Sequence, residues 1–317
     1  MQEHLFYMLG GTVALTVGAD YAVRASLSLA HRWGWPDWVA GMLLLALGTS
    51  LPELFVSLTS LSEHPQVALG NLMGSNAFNV AAVLGMCLLL KGKQNFEIER
   101  IGWPALLPLV IGSFFVFLWF SYPPSTAYSS ILLLLLYGVV IAKSIKAKPG
   151  GEVDVLQDAP VSSSKRVGLQ CLSGFLMLAG GAHFFLEGAL ELAAEFGWKD
   201  GFAGFVLAAV GTSLPELFTS FFALKQGRAQ AVFGNVVGSN AFNLLVTGGI
   251  VGLFTHQPFS DEISLFMLCV NLGASLLLIA PLLMLKLHIP NPRSLHSIVG
   301  FIMLVSYLLI IQQAYSL

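Results

Sequence analysis

The chain has 317 residues, of which 56% are hydrophobic and 10% charged, and its mean hydropathy is +0.79. A water-soluble core of this size does not bury that much apolar surface, so the composition excludes an ordinary soluble protein and indicates an integral membrane protein. The net charge of −2 gives no sign of a nucleic-acid partner, and the lipid bilayer is the expected surrounding.

Ten apolar segments are predicted to cross the membrane, whose hydrocarbon core takes about 20 helical residues. In chain order they cover residues 5–23, 38–60, 68–90, 103–120, 128–142, 167–192, 201–224, 231–254, 263–285 and 295–311. The fold class is therefore an all-α polytopic membrane protein. We divide it into a first five-helix repeat at 1–142, a linker at 143–166 rich in Gly, Ser and acidic residues, and a second five-helix repeat at 167–317.

Two matched stretches support this division. Gly-Thr-Ser-Leu-Pro-Glu-Leu-Phe occurs at 48–55 and again at 211–218, and a Gly-Asn-x-x-Gly-Ser-Asn-Ala-Phe-Asn stretch occurs at 70–79 and at 234–243. Because each unit has an odd number of spans, the second enters the membrane from the opposite face and the repeats are inverted. With both termini outside, every basic residue except Lys199 falls on the cytoplasmic side, together with the linker.

A carboxylate at the centre of a membrane helix costs about 2.5–3.5 kcal/mol on insertion scales. Glu53 and Glu216 are both predicted there, with no Lys or Arg close in sequence. The simplest source of a balancing charge is a cation from solution. Sites rich in carboxylate, hydroxyl, amide and carbonyl oxygens suit hard ions such as Ca²⁺ and Na⁺.

Other oxygen-bearing side chains recur at helical spacing near these glutamates, which predicts that they share helix faces. The hydroxyl-bearing sets are Thr49, Ser50, Glu53 and Ser57, and Thr212, Ser213, Glu216 and Ser220. The amide-bearing sets are Asn71, Ser75 and Asn79, and Asn235, Ser239 and Asn243. Pro52 and Pro215 should also free the carbonyls of Gly48 and Gly211 in mid-membrane.

The alternative interpretation is that small and polar residues only hold membrane helices together, which for any single Ser or Asn is as good an explanation. Four further ionisable residues are interpreted as a solvated face near the mouth of the protein, with roles in ion entry or proton coupling as the alternative. They are Asp20, His183, Glu187 and Glu191.

The paired Gly-Thr-Ser-Leu-Pro-Glu and Gly-Ser-Asn-x-x-Asn motifs resemble the two alpha-repeats of the calcium/cation antiporter superfamily, in its prokaryotic sodium/calcium exchanger-like branch. The resemblance covers nearly the whole chain. It implies that the second, third, seventh and eighth helices form an ion-binding core along which the first and sixth slide. The ion ligands that it implies are Thr49, Ser50, Glu53, Ser75, Asn79, Thr212, Ser213, Glu216, Ser239 and Asn243, with the carbonyls of Ala46 and Ala209.

One position departs from the exchangers that this chain resembles, because they carry an aspartate where it has Asn243. Two carboxylates then remain in the expected site. They balance one Ca²⁺, but several Na⁺ ions in its place would leave excess positive charge in a low-dielectric site. Counter-ion identity and stoichiometry therefore stay open.

We expect a secondary antiporter, not an enzyme, that exchanges Ca²⁺ for Na⁺ in the cell membrane, works as a monomer and needs no cofactor. Exchange of Ca²⁺ for H⁺, with the glutamates accepting protons, is the close alternative. A cation channel is a third reading, since carboxylate rings also form selectivity filters. A purely structural membrane protein would be indifferent to replacement of Glu53 or Glu216.

Overall fold

The computed structural model describes residues 2–60, 65–90, 102–121, 126–146, 164–196, 200–254, 262–279 and 292–316. Within these ranges the chain is helical and contains no β-strand, which confirms the all-α fold class. Residues 147–163, which make up most of the predicted linker, lie outside the described part, as do residues 280–285 at the end of the ninth predicted span.

The first half is a series of helices with one π-helical segment in each of its second and third spans. In order they are α1 (Gln2–Arg32), α2 (Asp37–Val39), π1 (Ala40–Leu45), α3 (Ala46–Thr49), α4 (Leu51–Ser60), α5 (Pro65–Ala77), π2 (Phe78–Leu84), α6 (Gly85–Leu90), α7 (Gly102–Ser121) and α8 (Thr126–Ile145).

The second half follows the same order with one π-helical segment. Its elements are α9 (Ser164–Glu195), α10 (Asp200–Thr212), α11 (Leu214–Lys225), α12 (Ala229–Ala241), π3 (Phe242–Thr247), α13 (Gly248–Phe254), α14 (Glu262–Leu277) and α15 (Pro292–Ser316). The segments π2 and π3 occupy equivalent positions in the two matched stretches.

Six helical stretches of the described chain are long and apolar enough to cross a membrane, and a bent pair makes a seventh. Shorter apolar stretches lie within α7, α8 and α14, at Leu106–Phe117, Ser130–Ile145 and Leu265–Leu277. Each of the ten predicted segments overlaps helical residues, but the described stretches identify at most seven spans by length and composition, so the count of ten stays a prediction. The chain is a multi-pass membrane protein.

The first and sixth predicted spans are longer than expected. The sequence predicted 5–23, but α1 continues to Arg32, and α9 likewise extends beyond both ends of 167–192. The polar residues at these ends were assigned to loops from hydropathy alone. A helix can continue past the hydrocarbon core into the polar interface, where charged side chains are tolerated.

The helices that carry the matched stretches lie at the centre of the molecule. Helix α4 packs against α5, α11 packs against α12, and α12 also packs against π1 and α3 of the first half. The long helices α1 and α9 pack against each other, and they contact this centre through α11 and α10 respectively. The two halves are thus interleaved around the four stretches.

Candidate cation-binding site

The second and seventh spans are each interrupted at one serine. At Ser50 the backbone has φ −90° and ψ 6°, and at Ser213 it has φ −91° and ψ 5°, so neither residue is α-helical. The seventh span bends by 43° at this break. Pro52 and Pro215 stand in the first turn after it, where a missing amide hydrogen costs no helical bond. The sequence predicted a distortion here but treated each span as one helix.

The breaks place the two glutamates at helix starts. Glu53 lies in the first turn of α4 and Glu216 in the first turn of α11. The positive end of a helix dipole favours a carboxylate by about 0.3–1 kcal/mol at exposed sites, and more where it is partly buried. Both side chains have no exposed surface, so this end of each helix helps to hold a charge that the bilayer disfavours.

Each glutamate is held by a serine of the other half of the chain. Ser213 Oγ donates to Glu53 Oε1 at 2.9 Å, and Ser50 Oγ donates to Glu216 Oε1 at 2.8 Å. Ser239 Oγ donates to Glu216 Oε1 as well, at 3.1 Å. The second oxygen, Oε2, of each glutamate has no hydrogen-bond partner among the described residues. Each carboxylate is thus anchored through one oxygen and leaves the other for a ligand.

Asn79 and Asn243 carry further unpartnered oxygens. Both are fully buried, and neither side-chain amide makes a hydrogen bond within the described residues. They lie in π2 and π3, where the π-helical turn changes the direction of side chains relative to a regular helix. Segment π2 packs against α11 and π3 against α4. Each asparagine therefore lies in the segment that packs on the helix carrying the other half's glutamate.

The carbonyls of Ala46 and Ala209 lie in the last turn of the helices that end at the breaks. The first accepts a bond from Ser50 N–H at 3.0 Å and the second from Ser213 N–H at 3.3 Å. Ser75 Oγ donates to Ala209 O at 3.5 Å. A carbonyl has two lone pairs, and the C-terminal end of a helix is the end that favours a cation.

The remaining hydroxyls differ between the halves. Thr212 Oγ1 lies 3.1 Å from Asn71 Oδ1 and 3.4 Å from Ser75 Oγ, so it links the two halves. Both threonines also lie within donating distance of carbonyls one turn earlier, Thr49 of Leu45 and Ala46 and Thr212 of Ala208 and Ala209, so within the described residues the halves differ in the contacts of Thr212 with Asn71 and Ser75. The site is therefore a pseudo-symmetric arrangement whose hydrogen bonds are asymmetric.

Asn71 is not among the implied ligands, although the sequence grouped it with Ser75 and Asn79 on one oxygen-bearing helix face. Its Nδ2 donates to Glu53 O and to Ser57 Oγ, both at 3.1 Å, while its Oδ1 accepts from Thr212. It fixes the helix that carries Glu53 against the other half of the chain. The sequence signal for Asn71 was its spacing of four residues from Ser75, which in turn lies four residues before Asn79. This spacing predicted that the three side chains share one helix face.

All twelve residues implied as ligands are buried, none more than 3% exposed. Their donor atoms are carboxylate, hydroxyl, amide and carbonyl oxygens, the ligands of hard cations. No group of three or more His, Cys, Asp or Glu side chains with metal-binding geometry occurs in the described ranges. The donor set fits a closed site for Ca²⁺ or Na⁺ better than one for a softer transition metal.

The four residues assigned to the mouth lie away from this set. Asp20 accepts bonds from Arg24 at 2.9 Å and from Gln226 at 3.2 Å. Glu191 forms an ion pair with His4, and His183 lies 3.8 Å from Glu187. All of these pairs involve α1 or α9. The Asp20–Arg24 and His183–Glu187 pairs lie within one helix, whereas Gln226 and His4 belong to other parts of the chain; none of these contacts involves the buried oxygen cluster.

A multi-pass protein whose described residues are helical, with two buried carboxylates at duplicated helix breaks among neutral oxygens, has the features of a membrane transporter, and these oxygens are its candidate cation site. The chain belongs to the sodium/calcium exchanger family, whose family model matches residues 3–146 and 168–314. These two blocks contain the two pairs of matched stretches.

Individual relatives agree with this assignment. The chain is 29% identical over 314 residues to the sodium/calcium exchanger MaX1 of Methanosarcina acetivorans, covering 86% of this chain and 89% of that protein. It is 26% identical over 312 residues to the putative antiporter CaxA of Alkalimonas amylolytica, covering 95% of each. The solved structure of the sodium-calcium exchanger NCX_Mj soaked with 10 mM Na⁺ and zero Ca²⁺ superposes with a TM-score of 0.79, 26% identity and 97% coverage of both chains. These relatives are named as exchangers or antiporters, not as enzymes.

Proposed function

We propose that this protein is a secondary antiporter that exchanges Ca²⁺ for Na⁺ at the site around Glu53 and Glu216. The observation that carries the proposal is the free Oε2 atom of each glutamate, fully buried and anchored through Oε1 to a serine of the other half. Two carboxylates balance the charge of one Ca²⁺. The names of MaX1 and NCX_Mj, both sodium/calcium exchangers, support the choice of ions.

Coupling follows from the charge of the site. Ca²⁺ and the counter-ions compete for the same two glutamates, and the protein changes its exposed side only when those charges are compensated. Carrying two bare carboxylates across a dry barrier costs several kcal/mol, so the empty site should move rarely. The burial of every implied ligand supports a state closed to both sides, through which ions do not leak.

Exchange of Ca²⁺ for H⁺ is the second candidate, and Asn243 favours it. Asn79 and Asn243 are both neutral, so Glu53 and Glu216 are the site's acidic groups. Two protons on the glutamates would replace one Ca²⁺ without a change in net charge. Three Na⁺ ions at the same site would leave one positive charge uncompensated in a medium of low dielectric constant.

The experiment is ⁴⁵Ca²⁺ uptake into proteoliposomes loaded with Na⁺, with K⁺ or with choline, or carrying only a pH gradient. Glu53→Gln and Glu216→Gln are the test variants. Glu3→Gln is the matched control, because Glu3 is an exposed residue in the first turn of α1 and is outside the oxygen cluster. Sodium/calcium exchange requires uptake that depends on internal Na⁺, is lost in both test variants and survives in the control.

The other outcomes separate the alternatives. Uptake driven by the pH gradient without Na⁺ would select the proton exchanger, and unsaturable flux far above carrier rates would indicate a channel. Uptake that persists in both glutamine variants would exclude this site as the place of transport.

We also propose that the protein works as a monomer, with both termini outside the cell membrane and the linker in the cytoplasm. The distribution of basic residues supports this orientation. Single cysteines introduced at residue 2 and residue 155 of a cysteine-free variant should react with a membrane-impermeant maleimide from opposite sides of the membrane.

A further inference from the structure

A second buried polar cluster lies beside the cation site and is formed by three asparagines from three helices. Asn76 belongs to α5, Asn240 to α12 and Asn271 to α14, and none is more than 1% exposed. Asn76 Nδ2 donates to Asn271 Oδ1 at 2.8 Å, and Asn240 Nδ2 donates to the backbone carbonyl of Asn76 at 3.1 Å. The cluster therefore joins both halves of the chain to α14.

These bonds leave three amide groups without a partner among the described residues. They are Asn76 Oδ1, Asn240 Oδ1 and Asn271 Nδ2, which amount to two acceptors and one donor group. An unpaired buried polar group destabilises the folded protein, and inside a bilayer no bulk water is present to satisfy it. Three such groups in one cluster point to a bound partner.

The count does not depend on which way the amides of Asn76 and Asn271 point. If both are reversed, Asn271 Nδ2 donates to Asn76 Oδ1, and the groups left over are Asn76 Nδ2, Asn271 Oδ1 and Asn240 Oδ1. The remainder is again one donor and two acceptors. In either orientation, a partner that donates two hydrogen bonds and accepts at least one would satisfy all three atoms.

We propose that Asn76, Asn240 and Asn271 bind one water molecule. A water that donates to the two carbonyl oxygens and accepts from the amide nitrogen makes three hydrogen bonds, the usual number for a buried water in a protein. A dehydrated alkali cation fits less well, because it would face an N–H donor. It would also find two side-chain oxygens and no carboxylate in the cluster.

The site's position gives the water a role in ion binding. Asn76 directly follows Ser75 and Asn240 directly follows Ser239, and Ser239 donates to Glu216. The water links Asn76 and Asn240 to Asn271. It thereby fixes the neighbouring serines, Ser75 and Ser239, relative to each other. It acts as a positioning element, since none of the three asparagines donates an atom to Glu53 or Glu216 in the described contacts.

Helix α14 makes a second buried polar contact one turn away, with α7, and Ser113 of that contact also donates to Leu109 O at 3.0 Å. Ser275, one turn after Asn271, lies 2.6 Å from Ser113 of α7, and both hydroxyls are fully buried. Removal of this contact should leave the three asparagines in place. Ser275→Ala therefore serves as the matched control for Asn271→Leu.

The direct test is a structure of the full-length protein at a resolution that shows ordered water, determined once in Na⁺ salt and once in Rb⁺ salt. We expect a light-atom peak within hydrogen-bonding distance of all three asparagines in both, with no anomalous signal from Rb⁺. An anomalous peak would identify a cation site, and the absence of any peak would remove the site. Either result overturns the proposal, and neither depends on the transported ions.

The variants test the positioning role. Asn271→Leu should abolish the peak and raise the KM for Ca²⁺ uptake several-fold with little change in kcat, whereas Ser275→Ala should keep both the peak and the KM. A peak that survives in Asn271→Leu contradicts the assignment of this residue. An unchanged KM after loss of the peak contradicts the positioning role.

Discussion

Ser50 Oγ donates a hydrogen bond to Glu216 Oε1 at 2.8 Å, across the boundary between the two halves of the chain. The reciprocal bond from Ser213 to Glu53 is 2.9 Å long, but Glu216 receives an additional bond from Ser239. The two glutamates therefore occupy equivalent positions in the sequence and unequal positions in the hydrogen-bond network.

This inequality predicts different effects of the two serine-to-alanine substitutions. A hydrogen bond to a charged group contributes about 1.5–3 kcal/mol, which corresponds to roughly ten- to hundredfold in affinity. Ser213→Ala should raise the KM for Ca²⁺ uptake within this range. Ser50→Ala should raise it less, because Ser239 still anchors Glu216.

The measurement is the Ca²⁺ dependence of initial uptake rates in proteoliposomes. Ser306→Ala is the control, since the Ser306 hydroxyl only donates to a carbonyl of its own helix at an exposed position. Equal KM values for Ser50→Ala and Ser213→Ala would show that the asymmetry has no effect on binding.

Much of this arrangement could be predicted from the sequence, because its main signals are strong in a membrane. Each segment that hydropathy predicted to span the membrane overlaps helical residues. The two glutamates in apolar segments indicated where the candidate cation site lies. The inequality described above could not be predicted, since residues 48–55 and 211–218 are identical. It arises from neighbours contributed by other helices, such as Asn71 and Ser239, whose directions depend on packing.

The helix breaks and π-helical segments were also beyond the sequence reading. Pro52 indicated a distortion, yet the non-helical residue is Ser50, two positions earlier, because proline is tolerated in the first turn that follows. No residue pattern signals π2, which contains Phe78 and Asn79. This segment packs against α11, α12 and α15.

Asn243→Asp should increase the dependence of Ca²⁺ uptake on Na⁺. A third carboxylate would compensate the charge that three bound Na⁺ ions leave over, so the Na⁺-loaded state should become easier to form. Uptake driven by internal Na⁺ should rise relative to uptake driven by a pH gradient alone. The measurement is the ratio of these two uptake rates in the same vesicle preparation.

Asn79→Asp is the comparison for this substitution, because Asn79 holds the equivalent position in the first half. If the counter-ion depends on a carboxylate at position 243 in particular, the ratio of Na⁺-driven to pH-driven uptake should change more in Asn243→Asp than in Asn79→Asp. An unchanged ratio in Asn243→Asp would show that a missing carboxylate does not determine the counter-ion.

Close contact between α1 and α9 gives a test with an adjacent control. A Cβ atom added at Gly11 would lie 2.6 Å from Gly181 O and 2.7 Å from Phe185 N, whereas one added at Gly10 would meet nothing within 4 Å. Gly11→Ala should therefore force the helices apart at a cost of about 1–3 kcal/mol. Gly10→Ala should be neutral or slightly stabilising, since alanine favours the helix.

The readout for this pair is the thermal unfolding temperature of the purified protein in detergent. Gly11→Ala should unfold at a lower temperature than the parent protein, and Gly10→Ala should not. Similar unfolding temperatures for the two variants would mean that the helices adjust their separation freely.

Gly48 offers a test of the contact between α9 and the helix break. A Cβ atom there would lie 2.2–2.5 Å from three ring carbons of Phe175, a side chain on α9. Because the residue after Gly48 is Thr49, an implied ligand, displacement at this point should disturb the site as well as the packing. Gly48→Ala should therefore reduce the initial rate of Ca²⁺ uptake, by an amount set by how far the ring can move.

A double substitution separates this clash from other effects of the added methyl group. Phe175→Ala removes the ring, so Gly48→Ala combined with Phe175→Ala should transport better than Gly48→Ala alone, a positive coupling in a double-mutant cycle. Gly138→Ala, where the added Cβ meets nothing within 4 Å, should transport like the parent protein. If the double variant is no better than Gly48→Ala, the ring is not what excludes a larger residue, and the glycine is needed for the backbone at the break.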